Sequence, residues 1–419
     1  MAILIATGLI FFVWTQTANT MLSDEWDISY NILIESGGDA NLLNALWAPH
    51  NEHRIFLPKL ITYLNSSMSL APQRLMTLSI LLLLFSYFFC FRNLFGSSFE
   101  ENEFADKFFA ILVPFFFFSL AQKPNFFIGI NICWSLQCVG VILTIVGLVT
   151  SSNWKVILGF LVNYLSLAGW IALLPIVFLY TLIDWIKFKD SKKLRRFVYL
   201  NFITGLLSAL YFFKLQTPPK APIGAEAVLK ILAHLIQLIG SPFQPMGRDF
   251  AFIMGVLFLV ISAIFIVKKR LKFNSPPFQF IFYTLTIGIL ISFGRFSFWS
   301  LGERVAERYA LVANLGWLGL LAATYINFKT KKTVVYIVAS LLVIDTVVTT
   351  AKRIPHELAV QKTQESGRKC LADFLKDSQK NNYDPKCTAY IYPPSDEHLR
   401  AVANALYKKG HLSWMLEKK

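Results

Sequence analysis

Charge is scarce in this chain. Only 16% of its 419 residues are Asp, Glu, Lys or Arg, against 55% hydrophobic, where a soluble domain carries about 25% charged residues. An ordinary water-soluble domain is therefore excluded. Cysteine is sparse as well: there are five, and Cys90, Cys133 and Cys138 fall in apolar runs. No CxxC, HExxH or Cys/His cluster occurs, which argues against a structural metal site. A Gly-rich phosphate loop, a GxSxG turn and a nucleotide fingerprint are also missing, which argues against ATP-driven transport within this chain. No Lys or Arg precedes Arg54, so the first apolar run lacks the basic start of a cleaved leader and reads as a retained span.

What the chain has instead is long apolar stretches, at 3–13, 75–91, 108–120, 139–149, 250–267 and 334–348. A membrane span takes roughly 20 apolar residues, and a backbone inside a bilayer must satisfy its own hydrogen bonds as a helix or a closed barrel. The ten-residue alternation of a membrane barrel is absent. The expected fold is all-α: a polytopic membrane helix bundle of about eleven spans. These are placed at 2–19, 70–91, 108–121, 132–150, two in 156–186, then 197–214, 250–267, 279–298, 309–326 and 333–350. Gly169 and Pro175 suggest broken helices in the fifth of these regions.

The net charge of +15 does not indicate a nucleic-acid partner, because the cations cluster in short connections. Lys187, Lys189, Lys192, Lys193, Arg195 and Arg196 form one group, Lys268, Lys269, Arg270 and Lys272 a second, and Lys329, Lys331 and Lys332 a third. Short basic loops between apolar runs mark the cytoplasmic side. Counting outward from them places the N-terminus inside and the C-terminus outside. Residues 1–350 then form the transmembrane domain, with outer loops at about 20–69 and 215–249, and 351–419 a small soluble outer domain. The stretch Ala225–Ile239 is amphipathic and reads as a helix lying in the membrane interface or packed on the bundle. Cys370 and Cys387, both in the outer tail, are expected to form a disulfide in an oxidising compartment.

Ionisable groups beside apolar runs are functional candidates, because lipid offers them no solvation. The first outer loop holds the densest set. Asp24, Glu25 and Asp27 follow the first span, and His50, Asn51, Glu52, His53 and Arg54 precede an apolar helix start. A carboxylate near low-dielectric surroundings has a raised pKa and suits a general base; two carboxylate clusters in one loop also suit a divalent cation. The competing reading is a solvated interfacial loop with a snorkelling arginine. A second set comprises Arg295, Arg304, Arg308 and Tyr309, with Arg304 and Arg308 spaced to share a helix face. Arginine forks suit phosphate, unless Glu303 and Glu307 pair with them. A third set around Gly129, with Gln122, Asn125, Asn131 and Gln137, offers amides for sugar hydroxyls or for helix–helix hydrogen bonds.

This layout resembles that of bacterial GT-C-type membrane glycosyltransferases, in particular the serotype-converting O-antigen glucosyltransferases. The likeness rests on an acidic loop after the first span, the segment from His50 to Pro58, the polar turn at Gln122, Asn125 and Gly129, and an Arg-Tyr before a late span. It implies an inverting transfer of a sugar, glucose by expectation, from a polyprenyl-phosphate carrier to a periplasmic glycan such as O-antigen. The place implied is the bacterial inner membrane. Asp24 is the implied base, with Glu52 and Asp27 as further candidates. Arg295, Arg304 and Arg308 would hold the donor phosphate. Glu25, His53, Arg54, Gln122, Asn125 and Tyr309 would contact substrate. The resemblance fixes no cofactor and leaves a divalent cation open, since some members of the superfamily use one and others do not. A separate donor synthase and flippase are the implied partners, beside membrane lipids. Two other functions compete: a transporter or flippase of lipid-linked saccharides, and an O-antigen polymerase or ligase.

Overall fold

The computed structural model describes residues 1–35, 39–50, 53–95, 113–213, 215, 224–301, 303–327, 332–376, 389, 391–392, 395–416. Among these the regular structure is helical, with no strand beyond a single bridge between His50 and His53. Six helices are long and apolar enough to cross a membrane: Gln73–Leu94, Gly129–Val149, Ala168–Phe188, Arg248–Val267, Pro276–Arg295 and Glu307–Asn327. The chain is thus a multi-pass helical membrane protein, and among the described residues six of the expected spans meet that length and apolarity.

Other expected spans take different forms among the described residues. The first is a helix of 15 residues, Ala2–Gln16, and the described part of the third forms the apolar helix Val113–Gln122. The region around 156–186 is broken, as Gly169 suggested. Helix Asn153–Ser166 stops at an extended Leu167, a 3-10 turn covers Ala168–Ala172, and a new helix runs over Leu173–Phe188. The segment expected to span at 333–350 opens a single helix, Lys332–Lys376, of 45 residues. At about 1.5 Å per residue it reaches roughly 68 Å, far beyond a hydrocarbon core of about 30 Å.

The chain divides into two compact units. The first contains residues 1–2, 83–123 and 136–350. Its centre is helix Ala310–Asn327, buried along nearly its whole length. Helix Pro276–Arg295 runs antiparallel to it, with Thr284 Oγ1 donating to Val312 O at 2.9 Å and Gly316 leaving room for the Thr284 side chain. Helix Arg248–Val267 instead turns Ile253, Leu257, Val260 and Ile264 outward. An exposed stripe of that kind suits lipid.

Helix Ala225–Ile239 forms where amphipathicity predicted one, with an unexpected orientation. His234 and Gln237 are buried, while Val228, Leu229 and Leu232 are exposed. His234 Nδ1 lies 2.9 Å from Ser292 Oγ, and its ring meets the edge of Trp299. Gly240 and Gly255 let this helix touch Arg248–Val267 backbone to backbone. A Cβ on Gly255 would collide with Ile236 O, and one on Gly240 with Ala251 O.

Two cations of the first basic connection have internal partners: Lys193 pairs with Asp184 at 2.7 Å, and Arg196 donates to Asn153 Oδ1 and Gly147 O. That charge is structural, whatever it contributes to orientation.

The second unit contains residues 3–82, 124–135 and 351–419. It thus groups the expected outer tail with residues of the first loop. Leu371, Leu375, Leu399, Val402, Leu406 and Trp414 of the tail share one core with Met21 and Trp26 of the first loop. Cys370 is disulfide-bonded, and Cys90, Cys133 and Cys138 are free thiols; Cys387, the expected partner, lies outside the described residues.

Gly255→Val should lower the thermal midpoint of the detergent-purified chain, at a cost of about 1–3 kcal/mol from overpacking against Ile236 O. Gly205→Ala, which meets nothing within 4 Å, should not. A thermal-shift measurement on both variants decides this.

Candidate functional site

The first-loop carboxylates sit on one short helix, Asp24–Tyr30. Seven residues do not make a stable helix alone; this one is seated by Trp26, which is fully buried and donates from Nε1 to Met21 O at 2.9 Å. Ser23, just before it, has a positive φ of 50° and donates its N–H to Ile391 O at 2.9 Å. A non-glycine residue held there is strained, which fits a position near function.

Helical rotation sorts the three carboxylates. Asp24 and Asp27, three apart, share a face; Glu25 points elsewhere. Asp24 is 53% exposed and lies 3.3 Å from His50 Nε2. Asp27 is held by two residues of the tail. Tyr392 donates its hydroxyl to Oδ2 at 2.9 Å, and His398 Nε2 lies 2.9 Å from Oδ1. Burial, then the hydrogen bond to and the charge of Asp27, and finally the charge of Asp24, push the Tyr392 phenol up to about 12, so it stays a donor.

Glu25, expected to touch substrate, is turned inward and is 1% exposed. Its carboxylate accepts from Leu22 N at 2.7 Å and from Ile130 N at 2.9 Å. It thereby ties the turn Gly129–Asn131 to the loop. A Cβ on Gly129 would collide with Glu25 Oε1, so glycine is needed for that approach. Desolvation outweighs the backbone donors and lifts the Glu25 carboxyl to about 7.

His50, His53 and Arg54 are each held by defined contacts. His50 and His53 exchange two backbone hydrogen bonds, at 2.7 and 3.1 Å. Arg54 is buried, donates to Trp47 O at 2.8 Å and stacks on the Trp47 ring at 5.0 Å. Glu52 lies outside the described residues. Helix Phe56–Ser67 then buries Pro58, Lys59, Thr62, Asn65 and Ser66 while exposing Leu64, the reverse of a helix in water.

Beside this segment lies a cleft of about 420 Å³, within the range of small-molecule sites, about 300–1,000 Å³. Its polar lining comes from Asn31, Glu35, Asn41, Asn44, His50 and Lys59. His50 therefore borders the cleft and bonds Asp24 at once. His398, Tyr392, Lys59 and the asparagines were not marked by sequence reasoning. Tail residues pair with the loop only through a fold that joins positions far apart in sequence.

The remaining expected residues fall into two groups. Asn125 is fully buried in the same unit, and its carbonyl accepts from Ser79 Oγ at 2.8 Å. Gln122, Arg295, Arg304, Arg308 and Tyr309 belong to the other unit. Gln122 is fully buried and donates to Phe117 O at 2.6 Å, closing the end of its own helix. Arg304 and Arg308 do not share a helix face: the chain is irregular at 303–306, Ala306 is extended, and helix begins only at Glu307–Tyr309. Arg304 is exposed, and the Arg308 guanidinium lies over the ring of the buried Tyr309 at 5.4 Å. Among the described residues no three His, Cys, Asp or Glu side chains gather to hold a metal. The donors described do not fit a divalent cation.

No family model, no curated protein and no solved structure matches this chain.

Glu25 makes a pH-dependent contribution. Its folded pKa of about 7 lies above the ordinary 4.5. The stability linked to its proton is thus full below about 4.5 and lost as pH rises through about 7, on the order of 3 kcal/mol. Hydrogen exchange at Leu22 and Ile130, corrected for intrinsic rate, should show protection falling across that window, and Glu25→Gln should flatten the curve. Protection that stays constant in the native chain would remove the linkage.

Proposed function

We propose that this chain is a membrane glycosyltransferase that moves a sugar from a polyprenyl-phosphate carrier to a glycan hydroxyl, with Asp24 as general base. The observation that supports this reading is the position of Asp24. It is the exposed carboxylate of its helix, and its partner His50 lines the amide-walled cleft. Glu25 is occupied by backbone donors, and both oxygens of Asp27 are engaged by Tyr392 and His398. Asp24 is thus the most exposed of the three and the one joined to the cleft through His50.

In this reading the acceptor hydroxyl gives its proton to Asp24. Its oxygen attacks the anomeric carbon from the side opposite the phosphate. The anomeric carbon–oxygen bond breaks, and the electron pair leaves on the carrier phosphate, so configuration inverts. The departing phosphate needs fixed positive charge. By chemistry Arg295, Arg304 and Arg308 are suited to supply it, and each is tested by substitution in the same assay. The acceptor would be a periplasmic glycan such as O-antigen, and the donor glucose-bearing. The location would be a bacterial inner membrane with the N-terminus cytoplasmic and the C-terminus periplasmic, and a donor synthase and flippase would act upstream.

Mass spectrometry of surface glycan from cells with and without the protein tests this. The native chain should add a hexose-sized increment. Asp24→Asn should reduce that product by about 10²–10⁴-fold, the usual contribution of a general base, and Asp27→Asn by less. Altered chain length with unchanged composition would point to a polymerase or ligase. No covalent change at all, with carrier-linked saccharide moved across vesicles, would point to a transporter.

A further inference from the structure

The cleft beside His50 contains a cation that has no anionic partner among the described residues. Lys59 is 6% exposed. Its ammonium donates to Ala45 O at 3.0 Å and Ala48 O at 2.8 Å, which uses two of its three N–H groups. Both carbonyls lie at the C-terminal end of helix Asp39–Trp47, where a cation is favoured. That accounts for part of its burial. It does not neutralise the charge, since among the described residues no carboxylate is paired with it. Glu35 lines the same cleft yet makes no ion pair with Lys59. The neighbouring charge that acts on Lys59 is the like charge of Arg54, which adds to desolvation in lowering its pKa to about 8. Buried charges are normally paired.

The rest of the cleft supplies groups suited to sugars. Asn41 and Asn44, three apart on one helix, share a face, and Asn31 comes from the turn after helix Asp24–Tyr30. Each amide offers both donors and an acceptor, as hydroxyls require. Ile28, Ile32, Ala48 and Pro49 add an apolar surface against which sugar C–H groups can rest.

We infer that this cleft is a saccharide-binding site whose ligand carries an oxyanion, carboxylate or phosphate, that meets the free N–H of Lys59 while Asn31, Asn41 and Asn44 hold its hydroxyls. In the transfer reading it is the acceptor site, since His50 joins its wall to Asp24; that name rests on the reading above, whereas binding itself needs no turnover. The native substrate is then an acidic glycan rather than a neutral one.

The test is calorimetric binding to the full chain in lipid nanodiscs, using three probes that differ only at C6: methyl glucoside, methyl glucuronide and methyl glucoside 6-phosphate. At least one anionic probe should bind on the order of tenfold tighter than the neutral one, the worth of a charge-assisted hydrogen bond. Preference for the glucuronide identifies a carboxylate as the native group, and preference for the 6-phosphate a phosphate. Lys59→Gln, which keeps a donor for the two carbonyls, should erase the preference, and Lys59→Arg should retain it. Asn44→Ala, on the exposed wall, should weaken all three probes alike. Equal affinities in the native chain, a preference that survives Lys59→Gln, or no binding of any probe would overturn the assignment. A chain that prefers the anion yet transfers no sugar overturns only the transferase reading; one that transfers sugar without that preference overturns only this one.

Discussion

The seating of Trp26 is the interaction on which the chemistry of the loop–tail unit depends. A seven-residue helix has too few internal hydrogen bonds to persist by itself, so its orientation comes from what its side chains bury. Trp26 enters a core shared with Leu399, Val402, Leu406 and Trp414 of the tail. At 3.6 residues per turn, placing residues 25 and 26 inward leaves 24 and 27 on the other side. One aromatic anchor thus separates a carboxylate sealed from water, Glu25, from two that meet imidazoles, Asp24 and Asp27. The same anchor explains why the tail matters to the loop: His398 and Tyr392 reach Asp27 from the residues that pack around Trp26.

Charge in this unit is handled by backbone as much as by counter-charge. Glu25 is met by N–H groups of Leu22 and Ile130. Lys59 and Arg54 are met by carbonyls at the end of helix Asp39–Trp47. Backbone dipoles stabilise a buried ion without cancelling it, so the net charge remains for a ligand or a proton to answer. Stability and chemistry are coupled here: the groups that fasten the turn at 129–131 and the end of helix Asp39–Trp47 are those whose pKa values are displaced.

The bundle unit obeys a different constraint. With no water to satisfy them, polar side chains go inward and apolar ones outward. Helix Ala225–Ile239 buries His234 and Gln237 and exposes Val228, Leu229 and Leu232. Thr284, Asn314 and Trp317 each find a backbone carbonyl within their own unit. Glycines at 240, 255, 316 and 319 allow the close helix approaches that replace hydrophobic driving force in such a medium.

Composition and run length alone determined that this is an all-α membrane chain, that Gly169 marks a broken helix, and that Ala225–Ile239 is helical, because apolar runs and 3.6-residue periodicity are local properties. They also placed the carboxylates of the first loop among the residues of interest. Run length alone does not reveal where a helix ends, as Ala2–Gln16 does after 15 residues, or how far one runs on, as Lys332–Lys376 does for 45. They put Arg304 and Arg308 on one helical face where the chain is extended at Ala306. Only the tertiary structure decided which carboxylate is sealed, which is exposed and which is held by the tail. It also decided that Lys59 is buried beside three asparagines with no carboxylate paired to it among the described residues. Those outcomes depend on contacts between residues up to 371 positions apart, and burial, which sets both pKa and availability, is a property of the packed neighbourhood and not of the residue or its spacing.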